Sequence, residues 1–236
     1  MENHRIEKLN ATFKDYTLEQ AFEKLVTLGF SKMAFSTSFG QEDQIIADVI
    51  FKNDYPIEVF TLDTGRLFEA TYKVFEDTQT KYQKKIRTYF PERRAVESLI
   101  NEKGPYSFYY SVENRKECCE IRKVNPLQKA LKGVDLWITG LRASQSTARN
   151  EIKIFGYDAA FGLPKFNPLA YWELSTVENY LQEKQVPQNS LHKEGFVSIG
   201  CAPCTRAVQE GEDIRSGRWW WEESKKGCGL HYNKKI

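Results

Sequence analysis

MAFSTSFGQEDQIIADVIFKNDYPIEVFTLDTG (33–65) contains, in order, an apolar run, a polar turn, a helical pattern and a second apolar run. MAFST (33–37) reads as a strand and SFGQED (38–43) as the turn after it. Ile45, Ile46, Val49 and Ile50 then recur at helical spacing through about Lys52. IEVFTL (57–62) is the next strand, stopped by DTG (63–65). A strand, a crossover helix and a second strand make the unit of a parallel sheet. The pattern extends both ways. Upstream, Thr17 can cap a helix whose apolar face carries Leu18, Ala21, Phe22 and Leu25, ending near Gly29. Downstream come a helical stretch over 67–84, a strand KIRTYF (85–90) stopped by Pro91, and a helix to about Glu102. A buried-type strand VDLWITG (134–140) and a helix from Ser175 to about Lys184 follow. The expectation is an α/β fold, a mostly parallel sheet flanked by helices.

Open parallel sheets bind ligands at the carboxyl ends of their strands. Three polar loops fall there: SFGQED, the LDTG turn and GLRASQS (140–146). Ser36, Ser38 and Gly40 lie between a strand and a helix, where backbone N–H groups and hydroxyls suit a phosphate. The Gly-Lys-Ser/Thr ending of a Walker loop is absent, and plain helix capping explains the same residues. Glu42 and Asp43 would repel a phosphate if aimed at it, so they are expected to cap the helix or face away.

The chain has 236 residues, 41% hydrophobic and 28% charged, ordinary for one globular domain with or without an appended tail. No run of 18 apolar residues exists to span a membrane. The polar N-terminus lacks the apolar core of a secretory signal, which points to the cytoplasm. A net charge of +2 gives no support to bulk nucleic-acid binding. Basic residues do cluster locally, at Arg115, Lys116, Arg122 and Lys123, at Arg142 and Arg149, and at Arg206, Arg215 and Arg218. Brought together they would form an anion site; otherwise they are a solvated surface. After about residue 205 the periodicity weakens. The expected division is a nucleotide-binding α/β unit over 1–205 and an extension over 206–236.

Five cysteines read as four plus one. Cys118 and Cys119 are adjacent, and Cys201 and Cys204 form a C-x-x-C pair. Four thiolates suffice for zinc or for an iron–sulfur cluster. Vicinal cysteines reach one tetrahedral ion with difficulty, whereas a cubane spreads its ligand positions. A vicinal pair plus a C-x-x-C redox pair is the remaining reading. Cys228 stands apart in KKGCGLH (225–231), between Gly227 and Gly229, with Lys225, Lys226 and His231 near it in sequence. Such surroundings favour a thiolate and suit a nucleophile; the alternative is an incidental surface thiol.

ECCEIRK (117–123), SIGCAPCTR (198–206), EDIRSGRWWWE (212–222) and GCGLH (227–231), in that order, resemble the bacterial-type assimilatory adenylyl-sulfate reductase family. LDTGRLFEATY (62–72) and ITGLRASQSTAR (138–149) extend the resemblance over nearly the whole chain. It implies an adenine-nucleotide α-hydrolase-like, Rossmann-like fold with a flexible C-terminal tail. It implies a 4Fe-4S cluster on Cys118, Cys119, Cys201 and Cys204, with Cys228 as nucleophile. Lys123, Arg215, Arg218 and His231 match positions at the sulfate and phosphate end of the substrate. Arg142, Ser36, Ser38 and Gly40 match nucleotide and phosphate contacts, and Leu62, Asp63, Thr64 and Gly65 lie near adenosine. The substrate implied is adenosine 5'-phosphosulfate, with thioredoxin or glutaredoxin as reductant. The same chemistry on the 3'-phosphorylated nucleotide, or on both, is the nearest alternative. A tRNA sulfur-transfer enzyme would want an SGGxDS-like loop instead of SFGQED, and a zinc-stabilised nucleotide-binding module is the non-enzymatic alternative. Sequence leaves open whether the chain forms a homo-oligomer.

Overall fold

The computed structural model describes residues 2–145 and 152–222. Its six strands are β1 (Met33–Thr37), β2 (Ile57–Leu62), β3 (Arg87–Tyr89), β4 (Leu136–Ile138), β5 (Phe155–Asp158) and β6 (Leu163–Phe166). They form one sheet in the order β3-β2-β1-β4-β6-β5. All neighbours run parallel except β5, which pairs antiparallel with β6 at the edge. β1 is central because both its faces are apolar. Met33 and Phe35 enter the larger core, while Ala34 enters a second core on the opposite face.

The larger core packs α1 (Glu2–Phe13), α2 (Leu18–Leu25), α3 (Gln41–Lys52), α4 (Glu69–Tyr82) and α8 (Leu174–Glu183) on one face of the sheet. The expected cap of α2 is present as a full capping box between Thr17 and Gln20. The predicted strand over 85–90 is limited to β3, since an edge strand pairs on one side only. The strand over 134–140 is limited to β4, although the Thr139 N–H still donates to the Phe166 carbonyl.

Three elements were not expected from the sequence: α1, the β5–β6 hairpin, and a helical stretch from Val112 to Ala130. The last comprises α6 (Val112–Cys119), one π-helical turn (Glu120–Val124) and α7 (Asn125–Ala130). α5 (Arg93–Lys103) precedes it. Pro126 explains the wide turn: it has no N–H to give the Arg122 carbonyl, and its ring would crowd that carbonyl. The Asn125 N–H accordingly reaches back five residues to the Glu120 carbonyl. α7 places Leu127 and Ala130 in the second core.

A third cluster joins Leu99, Phe108, Cys118, Cys201, Cys204 and Trp219. Residues 206–222 pack against it: the Arg206 N–H donates to the Gly217 carbonyl and the Trp219 N–H to the Cys204 carbonyl. Among the described residues, no helix is long and apolar enough to cross a membrane.

Asp48 is fully buried in α3, where it accepts hydrogen bonds from Tyr82, Tyr180 (2.9 Å) and Lys52 (2.9 Å), tying α3 to α4 and α8. Removing the carboxylate leaves two half-buried tyrosine hydroxyls without this acceptor. Asp48→Ala is therefore expected to cost about 3 kcal/mol in urea unfolding, and Asp48→Asn less.

The His192 Nδ1–H donates to the Phe196 carbonyl (2.9 Å), while Nε2 is buried without a partner among the described residues. Burial lowers its pKa from 6.5, against the opposing pull of the Phe196 carbonyl and Glu42. The folded state thus holds His192 neutral where the unfolded chain takes up a proton. Its contribution to stability is complete above the ordinary histidine value and declines as pH falls below it. Unfolding at pH 7.5 and 5.5 is expected to show a smaller acid-side loss in His192→Asn than in the natural chain.

Candidate active site

The strand order reverses between β1 and β4, so the loops leaving these two strands face each other across the switch point. They touch. A Cβ on Gly140 would lie 2.2 Å from Asp43 Oδ1 and 3.2 Å from Asp43 N, so only glycine fits there. Asp43 Oδ2 accepts from the Ser38 N–H (2.6 Å) and the Ser38 hydroxyl (2.7 Å). Phe39, next in the turn, takes a left-handed φ of 60° while its buried ring stacks on Phe75. Glu42 pairs with Arg142 at 2.7 Å, both side chains largely buried. Neither acid is aimed at an incoming phosphate, as the sequence led one to expect.

The remaining sequence candidates divide by location. Ser38 and Gly40 lie on the loop after β1, with Gly40 as the N-cap of α3. Ser36 faces the second core, where its hydroxyl accepts from Trp137 Nε1 (2.9 Å). Arg142 is at the switch point, and its guanidinium also donates to Ser144 and to the Trp172 carbonyl. Leu62 packs against the second core. Asp63 accepts from the Gly65 N–H (2.7 Å) and from Tyr72, which burial and this carboxylate push up to about 12. Thr64 meets the cysteine lobe: its hydroxyl lies 3.3 Å from Cys201 Sγ. Cys228 and His231 lie outside the described residues.

The loop after β2 thus carries the sheet edge into the cysteine lobe. The Ala202 N–H donates to the Arg66 carbonyl (2.8 Å), fixing the CAPC turn, and Arg122 Nη1 donates to the Thr64 carbonyl (2.6 Å). Cys118, Cys119, Cys201 and Cys204 gather around one gap, which Arg66, Arg115, Arg122 and Lys123 also line. Cys118 and Cys119 end α6, and Cys201 and Cys204 bracket a single 3₁₀ turn.

Electrostatics distinguish the thiols. Burial pushes Cys118 up, and burial together with Cys201 pushes Cys204 up to about 12. Cys201 is buried too, yet its pKa falls. Lys123, the Thr64 hydroxyl and Arg218 together outweigh the desolvation. Among the described residues, no three His, Cys, Asp or Glu side chains converge as they would on a single ion. The donor set is nonetheless soft sulfur, suited to a thiophilic metal centre with spread ligands. Arg122 Nε and Arg218 Nε are buried without a partner among the described residues, so the lobe has donors to spare for an acceptor.

Lys123 and Arg218, predicted at the anionic end of the substrate, are therefore close enough to act on the thiols. Arg215 is half-buried in the 206–222 segment and does not line the gap. Arg66 and Arg115 were not singled out as site residues. Spacing alone cannot say which of several basic side chains turns inward.

Residues 32–207 match the phosphoadenosine phosphosulfate reductase domain. A protein of Allochromatium vinosum named adenosine 5'-phosphosulfate reductase is 46% identical over 200 residues, covering 84% of this chain and 78% of its own length. One of that name from Neisseria meningitidis is 43% identical, covering 92% and 89%. Among solved structures, the phosphoadenylyl-sulfate reductase of Candida auris superposes with a TM-score of 0.73 at 27% identity, over 86% of this chain and 96% of that one. With its sheet order, its loops and these relatives in agreement, the chain belongs to the phosphoadenosine phosphosulfate reductase family.

Proposed function

We propose that this protein is an adenylyl-sulfate reductase, taking sulfur from adenosine 5'-phosphosulfate and releasing it as sulfite. The observation that carries this reading is a quartet of thiols ringed by cations at the sheet's carboxyl edge. It occurs in a chain 42–46% identical to several proteins of that name.

In the first step the Cys228 thiolate attacks the sulfur of the sulfate–phosphate anhydride. The S–O bond to the phosphate breaks, AMP leaves with the electron pair, and Cys228 carries an S-sulfo group. Charge grows on the bridging and sulfonyl oxygens, where Lys123, Arg215, Arg218 and His231 serve as donors. A thiolate of a dithiol protein of the thioredoxin or glutaredoxin class then attacks Cys228 Sγ. Sulfite departs, and the mixed disulfide is resolved by the partner's second thiol. The partner is needed because the other four thiols are committed to the lobe. The loop after β1, with Ser38 and Gly40, and Arg142 across the switch point hold the nucleotide.

Cys118, Cys119, Cys201 and Cys204 would hold a 4Fe-4S cluster. Spread irons suit a vicinal pair facing a C-x-x-C pair, and the spare donors of Arg122 and Arg218 suit an anionic sulfur-rich group. When bound, the cluster supplies order and electrostatic tuning beside Lys123. On this reading residues 1–205 hold the nucleotide and the cluster, and the segment from 206 onward carries the nucleophile.

Steady-state kinetics with adenosine 5'-phosphosulfate, its 3'-phosphorylated analogue and thioredoxin test the reading. Cys228→Ser is expected to keep its iron and lose sulfite production by at least about 10³-fold. Undiminished turnover would reject the mechanism, and faster turnover of the 3'-phosphorylated nucleotide would reassign the substrate. Lys123→Ala is expected to lower kcat by about 10²-fold, the usual cost of losing one charge-stabilising donor. Cys201→Ser is expected to lose the brown colour and the iron on anaerobic purification, whereas retained stoichiometric iron would remove that residue from the ligand set.

A further inference from the structure

Glu222 is the last described residue before the segment that carries Cys228. Its carboxylate accepts from Arg115 Nε at 2.5 Å, and each side chain is only 5% exposed. Arg115 stands three residues before Cys118 on α6, with its guanidinium 4.5 Å from the Trp219 ring centre. Arg115 and Cys119 also line the same gap. One cation thus touches the cysteine helix, the tryptophan and the root of the tail.

The segment is held there at a cost. Trp219, a buried non-glycine residue, adopts a left-handed φ of 46°. Such a conformation is strained for a residue with a side chain. The second carboxylate oxygen of Glu222 is buried with no hydrogen-bond partner among the described residues. A buried pair with one orphaned oxygen is a poor way to add stability, since desolvation offsets most of the Coulomb gain. It is a good way to fix a location.

We propose that Arg115 and Glu222 are positioning residues: their buried pair moors the tail root to the cysteine helix and thereby sets the reach of the Cys228 nucleophile. This rests on the function proposed above. Five residues separate Glu222 from Cys228, so the thiol-bearing Cα stays within roughly 20 Å of the mooring. With the pair broken, the next fixed point is Trp221, whose ring packs on Phe108 and Tyr109. The reach then grows only to roughly 24 Å. Dilution of the thiol is therefore small, and the effect comes from loss of a fixed direction of approach.

The test uses the full-length, iron-loaded protein and the variants Glu222→Gln, Arg115→Gln and their double. Iron content, AMP affinity, the single-turnover rate of S-sulfo adduct formation (by intact mass) and amide hydrogen exchange are measured. The Glu222 N–H, bonded to the Trp219 carbonyl, reports the mooring without any catalysis. Glu222→Gln is expected to keep iron and AMP affinity within about twofold, to slow adduct formation at least tenfold, and to speed exchange across 219–222. Peptides from β1 and β4 should be unchanged, and the double variant no slower than the worse single. Adduct formation within twofold of the natural rate in both single variants would overturn the proposal. So would exchange across 219–222 that does not change. If Glu222→Gln does not fold, Glu222→Asp, one methylene shorter, decides by the same two readouts. If the natural protein forms no adduct, the proposed function fails, while hydrogen exchange still decides the mooring.

Discussion

Cations crowded into an apolar lobe repel one another unless negative charge is shared among them. Arg66, Arg115, Arg122 and Lys123 line one gap, with Arg218 close by. Glu222 pairs with Arg115, and the Cys201 thiol feels Lys123 and Arg218, so sulfur supplies further compensating charge. This explains why Cys201 stays acidic despite burial, why the lobe recruits a residue from each of several distant segments, and why its arginines keep spare donors. Local dielectric is low there, so each pairing counts for more than it would on the surface.

The rest of the molecule brings those segments together. The switch point supplies one polar edge, with Asp43 and Glu42 turned to internal partners so that their charge is met within the protein. The loop after β2 joins this edge to the lobe through Thr64, whose hydroxyl meets Cys201 and whose carbonyl receives Arg122. The loop after β2 and the thiol quartet therefore meet at Thr64.

Much of this was legible before folding. The β1–α3–β2 unit has clear periodicity on both strands and helix, and the two cysteine pairs announce a common centre. The β5–β6 hairpin was not legible. FGYD and LPKF are four residues each, and Gly156 and Pro164 obscure any alternation. α1 offers only Ile6, Leu9 and Phe13 against a polar background. At the site, Ser36 was grouped with Ser38 by proximity, yet strand alternation turns it toward Trp137. Arg115 was visible only as one basic residue among many, because its partners lie 104 and 107 positions away in the chain.

The single widened turn at 120–124 has a consequence for the length of the chain. Each residue of an α-helix advances the side chains by about 100°. The wide turn absorbs one residue beyond the α-helical count, so the vicinal cysteines keep their rotational phase with the sheet-packing helix beyond Pro126. The added position lets Arg122 and Lys123 fall within the turn and line the gap without rotating the thiols out of step with Leu127. The spacing between them is as much a part of the design as the residues themselves.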